Sequence, residues 1–104
     1  MSDSFSETME SLCKAAQAYE ASDLLLHEDR PPLLRISGKL RVLESAPVNG
    51  AFFDALRRAC GATEEAKDYD SSFTSGEGIR FRVNLLRQIG RHAAGLSRIR
   101  SDIP

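Results

Sequence analysis

The sequence predicts a single domain of the α+β class, an antiparallel β-sheet with helices beside it. Three observations predict it. Apolar residues recur at helical spacing in two separate segments, strict period-two alternation runs through 79–86, and glycine-bearing turn signals join short β-type runs into hairpins. At 104 residues the chain is long enough for one hydrophobic core without disulfide or metal staples.

Each element has its own justification. Ser4-Phe5-Ser6-Glu7 has the form of a capping box, in which the serine oxygen accepts an exposed backbone N–H and the glutamate reaches back. Phe5, Met9, Leu12, Ala16 and Tyr19 then lie on one face of an amphipathic helix over 5–20. The segment 23–28 reads as a strand. Pro31-Pro32 interrupts regular pairing and launches LLRIS, Ser37-Gly38 supplies a two-residue turn, and KLRVL returns, giving a hairpin over 33–43. Pro47, Asn49 and Gly50 open a second helix whose apolar face is Phe52, Ala55, Leu56, Ala59 and Cys60, with Gly61 where a helix ends. Thr63 caps a short acidic helix through Tyr69, and 71–74 is a weak strand. In 79–86 the odd positions are Ile79, Phe81, Val83 and Leu85, while Arg80, Arg82 and Asn84 occupy the even ones, so both arginines share one face of a half-buried strand. Gly90 and its neighbours form a turn, and 93–100 returns as the partner strand.

Composition is that of an ordinary globular domain, with 41% apolar and 28% charged residues and a formal net charge of −1. The distribution of charge is more informative. Seven acids and one lysine occupy 1–29, four acids and one lysine occupy 64–70, and six arginines with no acid occupy 79–100. Such a bipolar domain suits an anionic ligand at its basic end or a partner of opposite sign. Cys13 and Cys60 have neither a CxxC context nor metal-ligand spacing and read as small apolar residues in a reducing compartment. The opening MSDSFSETME is not a signal peptide, and the LLL at 24–26 is too short to cross a bilayer, so the expected location is cytoplasmic. There is no GxxxxGK[ST], no GxSxG, and no acidic or cysteine partner at ligand spacing to His27 or His92.

The arginines are the chemistry that stands out. A guanidinium is always charged and its planar fork matches phosphate and carboxylate oxygens. Two arginines at i and i+2 on a strand stand about 7 Å apart, and a partner strand can add a third. That cluster fits a polyphosphate. Two alternatives remain open on the residues alone: a solvated sheet face paired with the acids of the same domain, and a nucleic-acid surface. The second lacks the exposed aromatic residues of a single-strand binder, so no nucleic-acid partner is expected.

The wording of two segments adds a resemblance. ASDLLLHEDRPPLLRISGKLRVL (21–43) and RFRVNLLRQIG (80–90) resemble the first domain of PilT-type ATPases, the motors that retract type IV pili. Their pattern is A-S-D-L-H-L, then P-P-x-x-R-x-x-G-x-L-R-x-L, then R-F-R-V-N. The resemblance runs from about residue 10 to the end of the chain, where Asp102-Ile103-Pro104 sits at the family's passage to the next domain. It implies a PAS-like fold, a twisted antiparallel sheet flanked by helices. It also implies a RecA-like Walker domain that this chain lacks, with ATP and magnesium in the cleft between the two. In such a family the protein is a homohexamer whose first domain packs on the neighbouring subunit's second, at pilus or secretion machinery of the inner membrane. The chain by itself is then expected to hydrolyse no ATP. A freestanding PAS-like interaction or small-ligand module, or a domain of a related assembly or secretion ATPase, is the alternative.

Carried over position by position, the resemblance makes Arg82 the first candidate for a phosphate contact and Arg80, on the same face, the second. The family's other arginine falls at Ser97 here, and Arg98 lies one residue late. A slip of one residue turns a strand side chain to the other face. Either a bulge returns Arg98 to the cleft as a third contact, or one of the two arginines is missing. Leu25 likewise stands where the family commonly has histidine. Both departures point to a divergent relative with weakened or regulatory use of ATP.

Overall fold

The computed structural model describes residues 4–63 and 67–99. Two helices and six strands follow one another: α1 (Ser4–Ala18), β1 (Asp23–His27), β2 (Leu33–Ile36), β3 (Lys39–Val42), α2 (Gly50–Cys60), β4 (Asp68–Thr74), β5 (Arg80–Gln88) and β6 (Arg91–Arg98). The strands form one sheet in the order β3-β2-β1-β6-β5-β4, and every neighbouring pair is antiparallel. This is the α+β architecture expected.

Alternation along the strands gives the sheet one apolar face. Leu24, Leu26, Leu34, Phe81, Val83, Leu85, Ala94 and Leu96 point to it and are buried. They form a single core with Met9, Leu12, Cys13 and Ala16 of α1 and Phe52, Phe53, Leu56 and Cys60 of α2. Both helices therefore cover the same side, and the opposite side of the sheet stays bare. Hydrophobic burial of this kind is the main favourable term in folding.

Local chemistry sets the ends of the elements. The Asn49 side chain accepts a hydrogen bond from the Phe52 backbone N–H at 2.9 Å, which caps α2, and Gly61 ends it in the left-handed region at φ 79°. The β2–β3 turn places Ser37 and Gly38 at φ 51° and 80°, and the β5–β6 turn places Ile89 and Gly90 at 51° and 74°. Positive φ at both central residues is the hairpin geometry that matches strand twist. Glu10 accepts the Gly76 N–H at 2.9 Å and Lys14 pairs with Glu77 at 2.9 Å, tying the β4–β5 turn to α1.

Several expectations are corrected. α1 already includes Ser4, so that serine is a helical residue and not a cap. Tyr19 is 58% exposed, because the helix ends at Ala18 before the apolar stripe reaches it. The buried face of α2 is Phe52, Phe53, Leu56, Arg57 and Cys60, and Ala59 is exposed. Arg57 is buried because its guanidinium donates to the Thr63 carbonyl at 2.7 Å. Of the short acidic helix, 64–66 lie outside the described residues, and Asp68 and Tyr69 belong to β4, which starts earlier than the weak strand expected at 71–74. The first strand ends at His27, and the last spans Arg91–Arg98 in place of 93–100.

Candidate functional site

The bare face of the sheet is where the predicted arginines emerge. Cross-strand register arranges it in rows. One row runs Leu40, Arg35, Asp23, Ser97, Arg82, Ser72 across the six strands. The next runs Val42, Leu33, Leu25, Gly95, Asn84, Asp70. Arg80, opposite Thr74, continues the face beyond Arg82 toward the start of β5.

Arg80 and Arg82 are both exposed and on the same side, flanking the fully buried Phe81 that points the other way. Among the described residues neither has an ion pair or a side-chain hydrogen bond within the domain. Chemically, two such guanidiniums on one strand leave their N–H donors open to the oxygens of an external anion.

Arg98 is not part of it. The β5–β6 pairing runs without interruption from Phe81↔Arg98 to Gln88↔Arg91, and β1–β6 is equally regular, so no bulge shifts the strand. Arg98 lies opposite Phe81, on the helix-covered side, with its Nε buried and without a hydrogen-bond partner among the described residues. The position facing Arg82 is Ser97. Of the two alternatives the sequence left, a bulge or a missing arginine, the uninterrupted ladders rule out the bulge, and the face carries Arg80 and Arg82 without Arg98.

Ser97 is held by a carboxylate that sequence reasoning missed. Its Oγ donates to Asp23 Oδ1 at 2.8 Å, Ser22 Oγ donates to Asp23 Oδ2 at 2.7 Å, and Arg35 Nε lies 3.9 Å from the same oxygen. Asp23 is thus engaged by three groups and leaves Arg82 uncompensated. On the other flank Asn84 Nδ2 donates to both Asp68 and Asp70 at 2.9 Å. Between these clusters is a shallow depression of about 400 Å³, lined by Arg82, Asn84, Asp70, Gly95 and Ser97 among others. Only cross-strand pairing brings residues 23, 82 and 97 together, and no local motif announces it.

Other reactive groups are structural. Burial, with Glu10 nearby, pushes the Cys13 thiol up to about 12, and burial also raises Cys60. Both cysteines are free and protonated at neutral pH. His92 is not isolated as its sequence context suggests: it stacks on Phe53 at 5.4 Å, and its Nε2 lies 3.8 Å from Asp54. Among the described residues no three His, Cys, Asp or Glu side chains are grouped to hold a metal ion, and no helix is long and apolar enough to cross a membrane.

No protein-family model matches the chain, and no curated protein aligns with it. Solved structures do match. The Legionella pneumophila ATPase DotB superposes with a TM-score of 0.78 over 95% of this chain at 18% identity. The pilus retraction motor PilT, solved with bound ADP, gives 0.72 over 91% at 28% identity. The Yersinia pseudotuberculosis ATPase DotB gives 0.71 over 88% at 16% identity. The chain spans about 30% of the length of the first two and 29% of the third. Its fold is therefore that of a domain of PilT- and DotB-type ATPases, and the resemblance carried by the PPLLR and RFRVN segments holds in three dimensions.

Proposed function

We propose that this chain is the domain of a PilT-type ATPase that presents a cation to the phosphates of a nucleotide held elsewhere in the protein. Arg82 is the principal contact and Arg80 stands beside it. The observation that carries this reading is their placement: both guanidiniums are exposed on the uncovered sheet face and uncompensated among the described residues. The solved PilT carries ADP, which supports a nucleotide as the anion.

The residues present suit a phosphate chain. Guanidinium forks offer paired N–H donors to phosphate oxygens, and Gly95 and Ser97 keep the surface beside Arg82 low enough for a ligand to approach. Bound ATP supplies a phosphoanhydride whose cleavage places charge on the terminal oxygens. A fixed guanidinium stabilises that charge without reorganising, most strongly where a second domain excludes water. Because Arg82 sits on one domain and the nucleotide on another, closure of the cleft becomes sensitive to nucleotide state, a hinge-type switch. With Ser97 facing Arg82 and Arg98 turned away, this version of the site works with fewer cations than the wording of its relatives implies, in keeping with weakened or regulatory ATP use.

The higher identity with PilT (28%) than with DotB (18%) favours a pilus retraction motor over a secretion ATPase. On this reading the parent protein is a cytoplasmic homohexamer that binds ATP with magnesium and works at the inner membrane, and the chain by itself is inactive. The test is Arg82→Ala in the ATPase that carries this domain. Hydrolysis falls about a hundredfold or more, the scale set by charge-stabilising donors and arginine fingers. Thermal stability stays nearly unchanged, since the side chain is exposed. An undiminished rate overturns the assignment.

A further inference from the structure

Arg82 has a carboxylate on each flank, and both are engaged by other groups. On the β6 side Asp23 is held by Ser97, Ser22 and Arg35. On the β4 side the acid is Asp70. Register sets it diagonally across from Arg82, because Asp70 pairs with Asn84 and Ser72 pairs with Arg82. A diagonal neighbour on one sheet face lies within reach of a side chain as long as arginine, and both residues line the same depression. Yet Asp70 and Arg82 form no ion pair.

Asn84 accounts for this. Its Nδ2 donates to Asp70 Oδ1 at 2.9 Å and to Asp68 Oδ1 at 2.9 Å. A primary amide has two N–H donors, and each carboxylate takes one. The two acids stand two residues apart on β4 and share a face, so one amide on the neighbouring strand meets both. Asn84 thereby gives Asp70 a partner without placing another cation beside Arg82.

We infer, resting on the nucleotide reading for the identity of the ligand, that Asn84 is a positioning residue: by holding Asp70 it keeps the Arg82 guanidinium open to an incoming phosphate. The hold on Asp70 itself exists with or without a nucleotide. Without the amide, Asp70 turns to Arg82, and that pair has to break before a phosphate oxygen can take the guanidinium. Only the molecules with Arg82 unpaired are then competent, and the apparent affinity falls by their fraction. For an exposed ion pair the shift is about two- to fivefold.

Two measurements test it. Asn84 is half-buried on the uncovered face, so Asn84→Ala removes the donor without opening the core. A crystal structure of the Asn84→Ala chain shows the Asp70 carboxylate in contact with the Arg82 guanidinium. In the ATPase that carries this domain, Asn84→Ala lowers kcat/KM for ATP about two- to fivefold. Adding Asp70→Asn restores it, which a mere loss of strand stability would not allow. A variant structure in which Asp70 stays clear of Arg82, or a lowered kcat/KM that Asp70→Asn does not restore, overturns the inference. An Asp70–Arg82 pair that forms in the variant while hydrolysis keeps its wild-type rate bears out the hold on Asp70 and counts against the nucleotide reading.

Discussion

At the scale of single residues, a strand's period of two decides which arginines can act together. Arg80 and Arg82 differ by two and share a face, whereas Arg98 pairs across the ladder with Phe81 and is carried to the helix side. Its buried Nε has no partner among the described residues, which leaves a desolvation cost unrecovered. Arg98→Met, which keeps the length and removes the orphan donor, is expected to hold or raise the Tm in thermal denaturation. In the ATPase carrying the domain it leaves hydrolysis unchanged, in contrast to Arg82→Ala. A second prediction concerns Cys13. Its thiol is raised to about 12 from an ordinary 9.0, so almost no thiolate is present near neutrality. Labelling by an aromatic disulfide reagent at pH 7 should be far slower in the native chain than in urea. The sign for stability follows from linkage. The folded state favours the protonated thiol, so its contribution is intact below pH 9 and is lost as pH rises from about 9 toward 12. Alkaline melts should show that decline, and Cys13→Ala should flatten it.

At the scale of elements, local chemistry was legible around α2 and at the β2–β3 turn, although the Ser4 capping box was not realised. Asn49 and Gly61 bracket α2, and Ser37-Gly38 closes a hairpin at the expected place. Asn49→Ala, which removes the acceptor for Phe52 N–H, should cost about 1 kcal/mol in urea unfolding. Ile89→Asn should gain about 1 kcal/mol, because asparagine adopts positive φ with less strain. What escaped the sequence was set by contacts distant along the chain. The buried face of α2 includes Phe53 and Arg57 because Phe53 meets His92 of β6 and Arg57 reaches the Thr63 carbonyl. Likewise Asp68 and Tyr69 read as the end of an acidic helix, yet they pair with Leu86 and Leu85. Tertiary pairing overrides local propensity there. The alternation in β5 was strong enough to survive, and it alone fixed the shared face of Arg80 and Arg82.

At the scale of the whole molecule, both helices pack on one side of a six-stranded sheet and leave the other uncovered, polar and charged across β6, β5 and β4 and apolar at Leu25, Leu33, Leu40 and Val42 toward β3. The core that holds the two faces apart is centred on residues such as Phe81, which is 0% exposed between the two arginines. Phe81→Ala should cost about 3–5 kcal/mol in chemical denaturation and disturb the arginine face only by loosening its strand. The sequence exposed the two helices, the two hairpins and the bipolar charge. It could not expose the Asp23–Ser97 link, which depends on strands more than seventy residues apart meeting in register. The central claim is that the bare face meets a nucleotide through Arg82. The most direct measurement is a structure of the ATPase that contains this domain, solved with a non-hydrolysable ATP analogue. The account predicts the Arg82 guanidinium within hydrogen-bond distance of a phosphate oxygen, Arg80 beside it and Arg98 turned away. A nucleotide whose phosphates have no contact with either Arg80 or Arg82 in the closed state would contradict it.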